Sequence, residues 1–182
     1  MGKTRKNRIY SDTDYNSNDG MLTSVWGPSM WHVLHTMSFN YPVKPTVEDK
    51  HHYRDYVLNL RWTLPCGKCR NNFKTNQQKL PLLMKHMACR ATFSRYIYDL
   101  HELINTMLKK KSGLTYEMAR ERYEHFRSRC TKPVDYIPPP VEKGCIEPLY
   151  KGEKSKCVLK IVPQSKQCET FQVDDKCVKQ II

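Results

Sequence analysis

Phe93-Ser94-Arg95-Tyr96-Ile97-Tyr98-Asp99-Leu100-His101-Glu102-Leu103-Ile104-Asn105-Thr106-Met107-Leu108 is the stretch that decides the fold class. Its apolar residues Phe93, Tyr96 and Ile97, Leu100, Ile104, and Met107 with Leu108 recur at steps of three and four. That is the period of a helix with one buried face, sustained over roughly four turns. Gly113 is expected to close this helix and Thr115 to open another, which carries Tyr116, Ala119, Tyr123 and Phe126 on one side.

Upstream, Gly27-Pro28 fits a helix opening, with Ser24 as the cap and Pro28 tolerated in the first turn. Trp31, Leu34, His35 and Ser38 continue at helical spacing until Tyr41-Pro42 stops the run. Thr46, followed by Glu48 and Asp49, marks a second start, with Tyr53, Tyr56, Val57 and Leu60 on one face. Pro65 ends the approach to two cysteines, and a short helix is expected from Cys66 towards Gln77. No segment before residue 130 alternates with period two. The expected class is therefore all-α, a four-helix bundle plus a short fifth helix over residues 21–130.

The flanks differ in composition. Residues 1–20 are polar and basic without apolar periodicity and read as disordered. Residues 131–182 form a Pro/Lys/Cys-rich extension that begins with Pro133, Pro138-Pro139-Pro140 and Gly144. Two short pieces in it, Cys157-Val158-Leu159-Lys160-Ile161-Val162 and Phe171-Gln172-Val173, have strand-like composition within Lys-rich surroundings, so the extension is read as irregular.

A chain of 182 residues with 39% hydrophobic content can build one compact domain between such flanks. It has no apolar run long enough to span a membrane and no secretory leader pattern, so a soluble chain made in the cytoplasm is expected. Met1-Gly2 begins like a myristoylation signal, but Lys6 stands where that motif needs Ser or Thr. The net charge of +13 suits an anionic partner, whether nucleic acid, membrane or acidic protein. The basic residues are dispersed and form no nucleic-acid motif, which favours a solvated basic surface over a nucleic-acid site.

Leu64-Pro65-Cys66-Gly67-Lys68-Cys69-Arg70 carries the chemistry. Two cysteines spaced by two residues at a helix start can close a strained disulfide, and the helix dipole with Lys68 and Arg70 stabilises a thiolate. The alternatives at this point are half a zinc site or two inert buried thiols. Zinc needs a second pair of ligands, and none of the other cysteines forms a CxxC. Trp62 ahead of Cys-Gly-Lys-Cys has a thioredoxin-like look, yet the βαβ framework a thioredoxin requires is missing. A helical CxxC of the redox kind needs another electron partner.

Two more constellations accompany it. Trp31 and His35 lie one turn apart in Trp26-Gly27-Pro28-Ser29-Met30-Trp31-His32-Val33-Leu34-His35, and His101 and Asn105 do the same in His101-Glu102-Leu103-Ile104-Asn105. Each pair alone reads more readily as core packing or a helix-surface hydrogen bond than as a ligand site. The second is no zincin site, because Asn105 stands where a second histidine ligand is needed.

In this order, WGPxxWxxLH, LPCxxC and HxxxNxxLxK resemble the motifs of the Erv/ALR sulfhydryl oxidases over about residues 26–130. The resemblance implies FAD held within the helical bundle. Gly27, Trp31 and His35 would contact it from one helix, and His101, Asn105, Leu108, Lys109 and Lys110 from another, the lysines suiting its pyrophosphate. Tyr123 would lie near the adenine, and Trp62 and Leu64 would line the flavin pocket. It further implies that Cys66 is the outward sulfur attacked by substrate and Cys69 the flavin-side thiolate. Electrons would pass to FAD and then to O2, giving hydrogen peroxide. The implied partners are thiol-containing proteins, including a dithiol carrier, and a second copy in a homodimer.

The sequence departs from the family pattern at Glu102, where Asn is usual, and at Ile104, where Val is usual. Tyr116 stands where relatives place the first cysteine of a Cx16C brace, which leaves Cys130 without that partner. Cys145, Cys157, Cys168 and Cys177 contain no CxxC and so do not reproduce a shuttle dithiol; structural disulfides are the favoured reading for them. Cys89 reads as either inert or functional. The compact core and Lys-rich extension look like versions encoded by large cytoplasmic DNA viruses, which would place the protein in host cytoplasm and virions.

Overall fold

The computed structural model describes residues 10–126, so the expectations for residues 1–9, for Cys130 and for the extension over 131–182 lie outside the described residues. Six α-helices follow one another: α1 (Asp12–Tyr15), α2 (Thr23–Asn40), α3 (Val47–Thr63), α4 (Gly67–Lys79), α5 (Arg90–Met107) and α6 (Tyr116–His125). A 3₁₀ turn, Met84–Met87, precedes α5, and the described residues contain no strand. α5 packs most broadly against α2, while α3 pairs with α4, and α6 closes over α2 and α5.

Local chemistry sets most of these boundaries. Thr46 caps α3 through a reciprocal capping box with Asp49, its Oγ1 accepting from the Asp49 amide at 3.0 Å while the Asp49 carboxylate accepts from the Thr46 amide at 2.8 Å. Thr115 caps α6 by accepting from the Met118 amide. Cys66 caps α4, as the helix start beside the thiols anticipated. The expected unstructured start to residue 20 needs one correction: a Ser11–Asp14 capping box supports the single turn α1.

Two helix ends were misread. α2 begins at Thr23 with Leu22 as its cap, so Ser24 lies inside the helix and Pro28 sits beyond its first turn. A tertiary contact sets that start: the Met21 amide donates to the Pro65 carbonyl at 2.8 Å, and Trp26 Nε1 donates to the Met21 carbonyl at 3.1 Å. α5 ends at Met107, six residues before the expected Gly113. Lys109, with φ 56°, terminates it, its amide donating to the Thr106 carbonyl and that of Lys110 to the Asn105 carbonyl. Those two bonds form a Schellman motif with a lysine in the left-handed position that glycine usually fills.

The core unites one face of each long helix. Leu34, Val57, Leu60, Phe73, Phe93, Ile97 and Leu100 are buried in one cluster with Tyr41 and Met87. Of the inward face read for α3, Tyr56 is exposed instead. Buried tyrosines keep their hydroxyls satisfied: Tyr41 donates to the Met87 carbonyl and Tyr96 to the Leu80 carbonyl, both at 3.0 Å. Where the family resemblance puts a cysteine brace, the Tyr116 hydroxyl shares a 2.8 Å hydrogen bond with Ser94 Oγ and ties α6 to α5.

Candidate active site

The two thiols meet α2 at its first turn. Cys66 Sγ accepts from the Cys69 amide at 3.3 Å, and Cys69 Sγ lies 3.3 Å from Thr23 Oγ1. Cys69 also packs on the hydrophobic core, whereas its neighbours Gly67 and Lys68 are exposed. Arg70 Nη1 donates to the Leu64 carbonyl and closes the chain around the pair. Leu64 itself is buried in the core as the cap of α3.

This geometry divides the two sulfurs electrostatically. Hydrogen bonds from the Cys69 thiol and amide pull the Cys66 thiol below its ordinary pKa. Burial and the same thiol contact push Cys69 up. In the dithiol state the negative charge therefore belongs on Cys66, so the cationic stabilisation expected from Lys68 and Arg70 is subordinate to contacts within the pair.

Thr23 escaped the sequence reading, although it heads a ridge in steps of four: Thr23, Gly27, Trp31, His35 and Phe39. From Thr23 to His35 this ridge runs about 18 Å along α2. Gly27 is buried on it, and a Cβ there would meet Thr23 Cγ2 at 3.4 Å.

At the far end of the ridge three expected residues come together. Trp31 stacks on His101 with ring centroids 3.9 Å apart and planes 7° from parallel. His35 Nε2 and His101 Nδ1 share a 2.9 Å hydrogen bond. Both imidazoles are neutral at ordinary pH, because burial pushes His35 down to about 3 and His101 down to about 4. Tyr123 stacks beside His35 at 5.3 Å, and its hydroxyl lies 3.4 Å from His32 Nδ1.

Asn105 is one turn on from His101, and its Nδ2 donates to Glu102 Oε1 at 3.0 Å. Glu102 thus fixes the amide. Leu108, Lys109 and Lys110 follow as an exposed group at the end of α5. Trp62 stands apart from these residues: it is 60% exposed, with Lys74 Nζ 3.8 Å above its ring. Cys89 caps α5 and is half-buried.

The residues fit a dinucleotide carrying a planar ring. His35 Nδ1 is buried without a hydrogen-bond partner, a state costing about 1–3 kcal/mol that a polar ligand atom would relieve. The Trp31–His101 stack offers a flat aromatic face, Gly27 leaves room between Thr23 and Trp31, and Lys109 and Lys110 suit a pyrophosphate. Among the described residues no group of three or more His, Cys, Asp or Glu side chains is gathered as a metal site requires. No helix of the described residues is long and apolar enough to cross a membrane.

Fold and site together define a helical CxxC protein whose dithiol is tied to an aromatic and histidine pocket by one helix. The profile of the Erv1 / Alr family matches residues 28–124, and the chain belongs to that family. A probable FAD-linked sulfhydryl oxidase of Acanthamoeba polyphaga mimivirus is 36% identical over 104 residues, covering 57% of this chain and 72% of the relative. A putative FAD-linked sulfhydryl oxidase of Invertebrate iridescent virus 6 is 30% identical over 90 residues, covering 47% of this chain and 81% of the relative. The fold is that of the yeast Erv1 core crystal structure, with a TM-score of 0.52 at 20% identity, covering 68% of this chain and 95% of that one.

Proposed function

We propose that this protein is a FAD-linked sulfhydryl oxidase that introduces disulfides into thiol-containing proteins, with Cys66 and Cys69 as its redox pair. The observation that carries this reading is the contact of Cys69 with Thr23, at the head of the helix ridge that also bears Gly27, Trp31 and His35.

A substrate thiolate attacks Cys66 in the Cys66–Cys69 disulfide, forming a mixed disulfide and freeing Cys69. A second substrate thiolate then displaces Cys66. The low pKa of Cys66 favours its departure, since a more acidic thiol leaves faster. Two substrate thiols have then lost two electrons and two protons to the cysteine pair. When bound, FAD supplies the acceptor for that electron pair and passes it to O2, giving hydrogen peroxide.

The chain's own residues bind and orient. Trp31 and His101 present a flat face, His35 offers Nδ1, and Asn105 presents an amide held by Glu102. Lys109 and Lys110 counter pyrophosphate charge, Leu108 and buried Gly27 border the pocket, and Tyr123 closes its histidine side. Leu64 acts by fixing the chain ahead of Cys66, and Trp62 belongs to the outer approach to the thiols.

A homodimer belongs to the same proposal, supported by Val25 and Val33, which α2 leaves exposed. A dithiol carrier is proposed among its partners, and the cytoplasm, of a host cell for a viral chain, as its compartment. The full-length protein should carry the visible absorption of bound flavin and, with dithiothreitol, consume O2 and release one hydrogen peroxide per disulfide formed. Protein that stays colourless when FAD is added overturns the reading.

A further inference from the structure

Residues 56–98 contain no aspartate or glutamate, and the redox pair lies within this stretch. Arg61 at the end of α3 and Lys68, Arg70, Lys74 and Lys79 along α4 leave the second half of α3, beyond Asp55, and the whole of α4 with positive charge and no carboxylate. None of these cations is drawn into an ion pair with a neighbour on α4, which carries no carboxylate. The nearest acidic residue along the packed N-terminal segment is Asp19, next to Gly20 at Cys66.

The same surface is apolar at its edges. Met21 and Leu22 are 69% and 72% exposed, yet they are fixed beside the thiols by the Met21–Pro65 backbone hydrogen bond. Trp62, four residues before Cys66, is exposed with Lys74 over its ring, so one cation and one aromatic face form a joint platform. Such apolar shoulders suit side chains on either side of a cysteine in an extended polypeptide. Nucleic acid would use the charge but not the shoulders or the outward sulfur.

We propose that the face around Cys66, framed by Met21, Leu22, Trp62 and Lys74, is a docking surface for cysteine-containing polypeptide segments flanked by acidic residues. This rests on the oxidase reading and names its substrate class. The acidic flanks meet Lys68, Lys74 and Arg61, the apolar neighbours meet Met21, Leu22 and Trp62, and the substrate sulfur reaches Cys66. Two thiols of the segment become one disulfide, and their two electrons and two protons reduce Cys66–Cys69. Because the Debye length is about 8 Å at physiological ionic strength, the attraction acts over the last steps of approach and is weakened by salt.

The test compares two reduced peptides, identical except that Asp and Glu flank the two cysteines in one and Lys and Arg in the other, with dithiothreitol as a small neutral reference. With the flavin-loaded full-length protein at low ionic strength, kcat/KM for the acidic peptide should exceed that for the basic peptide by about ten-fold. The gap should close as salt is raised, while the dithiothreitol rate stays level. Lys74→Glu should shrink or invert the preference and leave dithiothreitol turnover unchanged. Equal peptide rates, or a preference that survives the charge reversal, overturn the proposal while the oxidase reading stands. Equal peptide rates together with tight, salt-dependent binding of a single-stranded oligonucleotide overturn it in favour of nucleic acid. A flavin-loaded protein that leaves dithiothreitol reduced overturns both readings.

Discussion

The two ends of the Thr23–His35 ridge treat ionisable groups in opposite ways. At the thiol end, a helix start, contact with solvent and hydrogen bonds within the pair let one sulfur, Cys66, hold negative charge. At the histidine end, burial strips charge from both imidazoles and leaves a neutral, hydrogen-bonded pair, with His101 stacked on Trp31. One helix therefore joins a site poised for nucleophilic exchange to a pocket poised to hold an uncharged ring system. The difference explains why substitutions at the two ends should fail in different ways.

The largest effect is expected at the thiol end and on activity alone. Cys69→Ser should lower oxidase turnover at least ~1,000-fold while the flavin stays bound, because the thiol and the pocket residues sit on different helices. Oxygen uptake with dithiothreitol and the flavin spectrum of the same sample read both halves; wild-type oxygen uptake would sink the assignment. Cys66→Ser should also block turnover but leave the Cys69 sulfur able to perturb that spectrum.

At the histidine end, stability should suffer as well. His101→Ala removes the stack on Trp31 and the partner of His35 Nε2, and urea unfolding should show a loss of about 2–3 kcal/mol. No change in midpoint would mean that the pair does not hold α2 to α5.

Acid should separate the ends further. The unfolded histidines bind protons near their ordinary value of 6.5, whereas the folded ones resist until about 4 for His101 and about 3 for His35. Between pH 6.5 and 4 the unfolded state thus holds more protons, and stability falls as pH falls, by up to about 1.4 kcal/mol per pH unit for each histidine. Above pH 6.5 these two groups contribute no further slope. The reactive thiol gains with pH in its own range: alkylation of Cys66 should accelerate with rising pH, with a midpoint below the ordinary thiol value.

The smallest effect concerns the end of α5. Lys109→Gly removes a lysine from the left-handed region and should stabilise the protein by about 1 kcal/mol, while weakening FAD binding through loss of a cation. A variant that binds FAD as tightly as the parent would detach Lys109 from the pocket and leave its backbone conformation as a purely local feature.

The α5 pattern was legible because an amphipathic helix writes its buried face into a local period, and the caps Thr46, Cys66 and Thr115 because capping is satisfied within three residues. Trp31, His35, His101 and Asn105 were legible through the family pattern, with each pair one turn apart on its own helix. Ser24 and Gly113 misled because local signals for a helix end compete with tertiary bonds: the Met21–Pro65 contact starts α2 earlier, and a strained Lys109 stops α5 sooner.

By itself the sequence determined an all-helical core, the positions of its long helices and the presence of a dithiol with two aromatic and histidine companions. It did not determine that Thr23 would touch Cys69, that Glu102 would hold Asn105, or that the charge of the pair would fall on Cys66. Those are relations between side chains brought together in space, and hydrogen bonding and desolvation act on distance and burial, which a linear spacing does not encode. The same holds for Trp62. Its position before the CxxC places it near the flavin by resemblance, and only the packing of α3 against α4 shows its ring exposed with Lys74 over it.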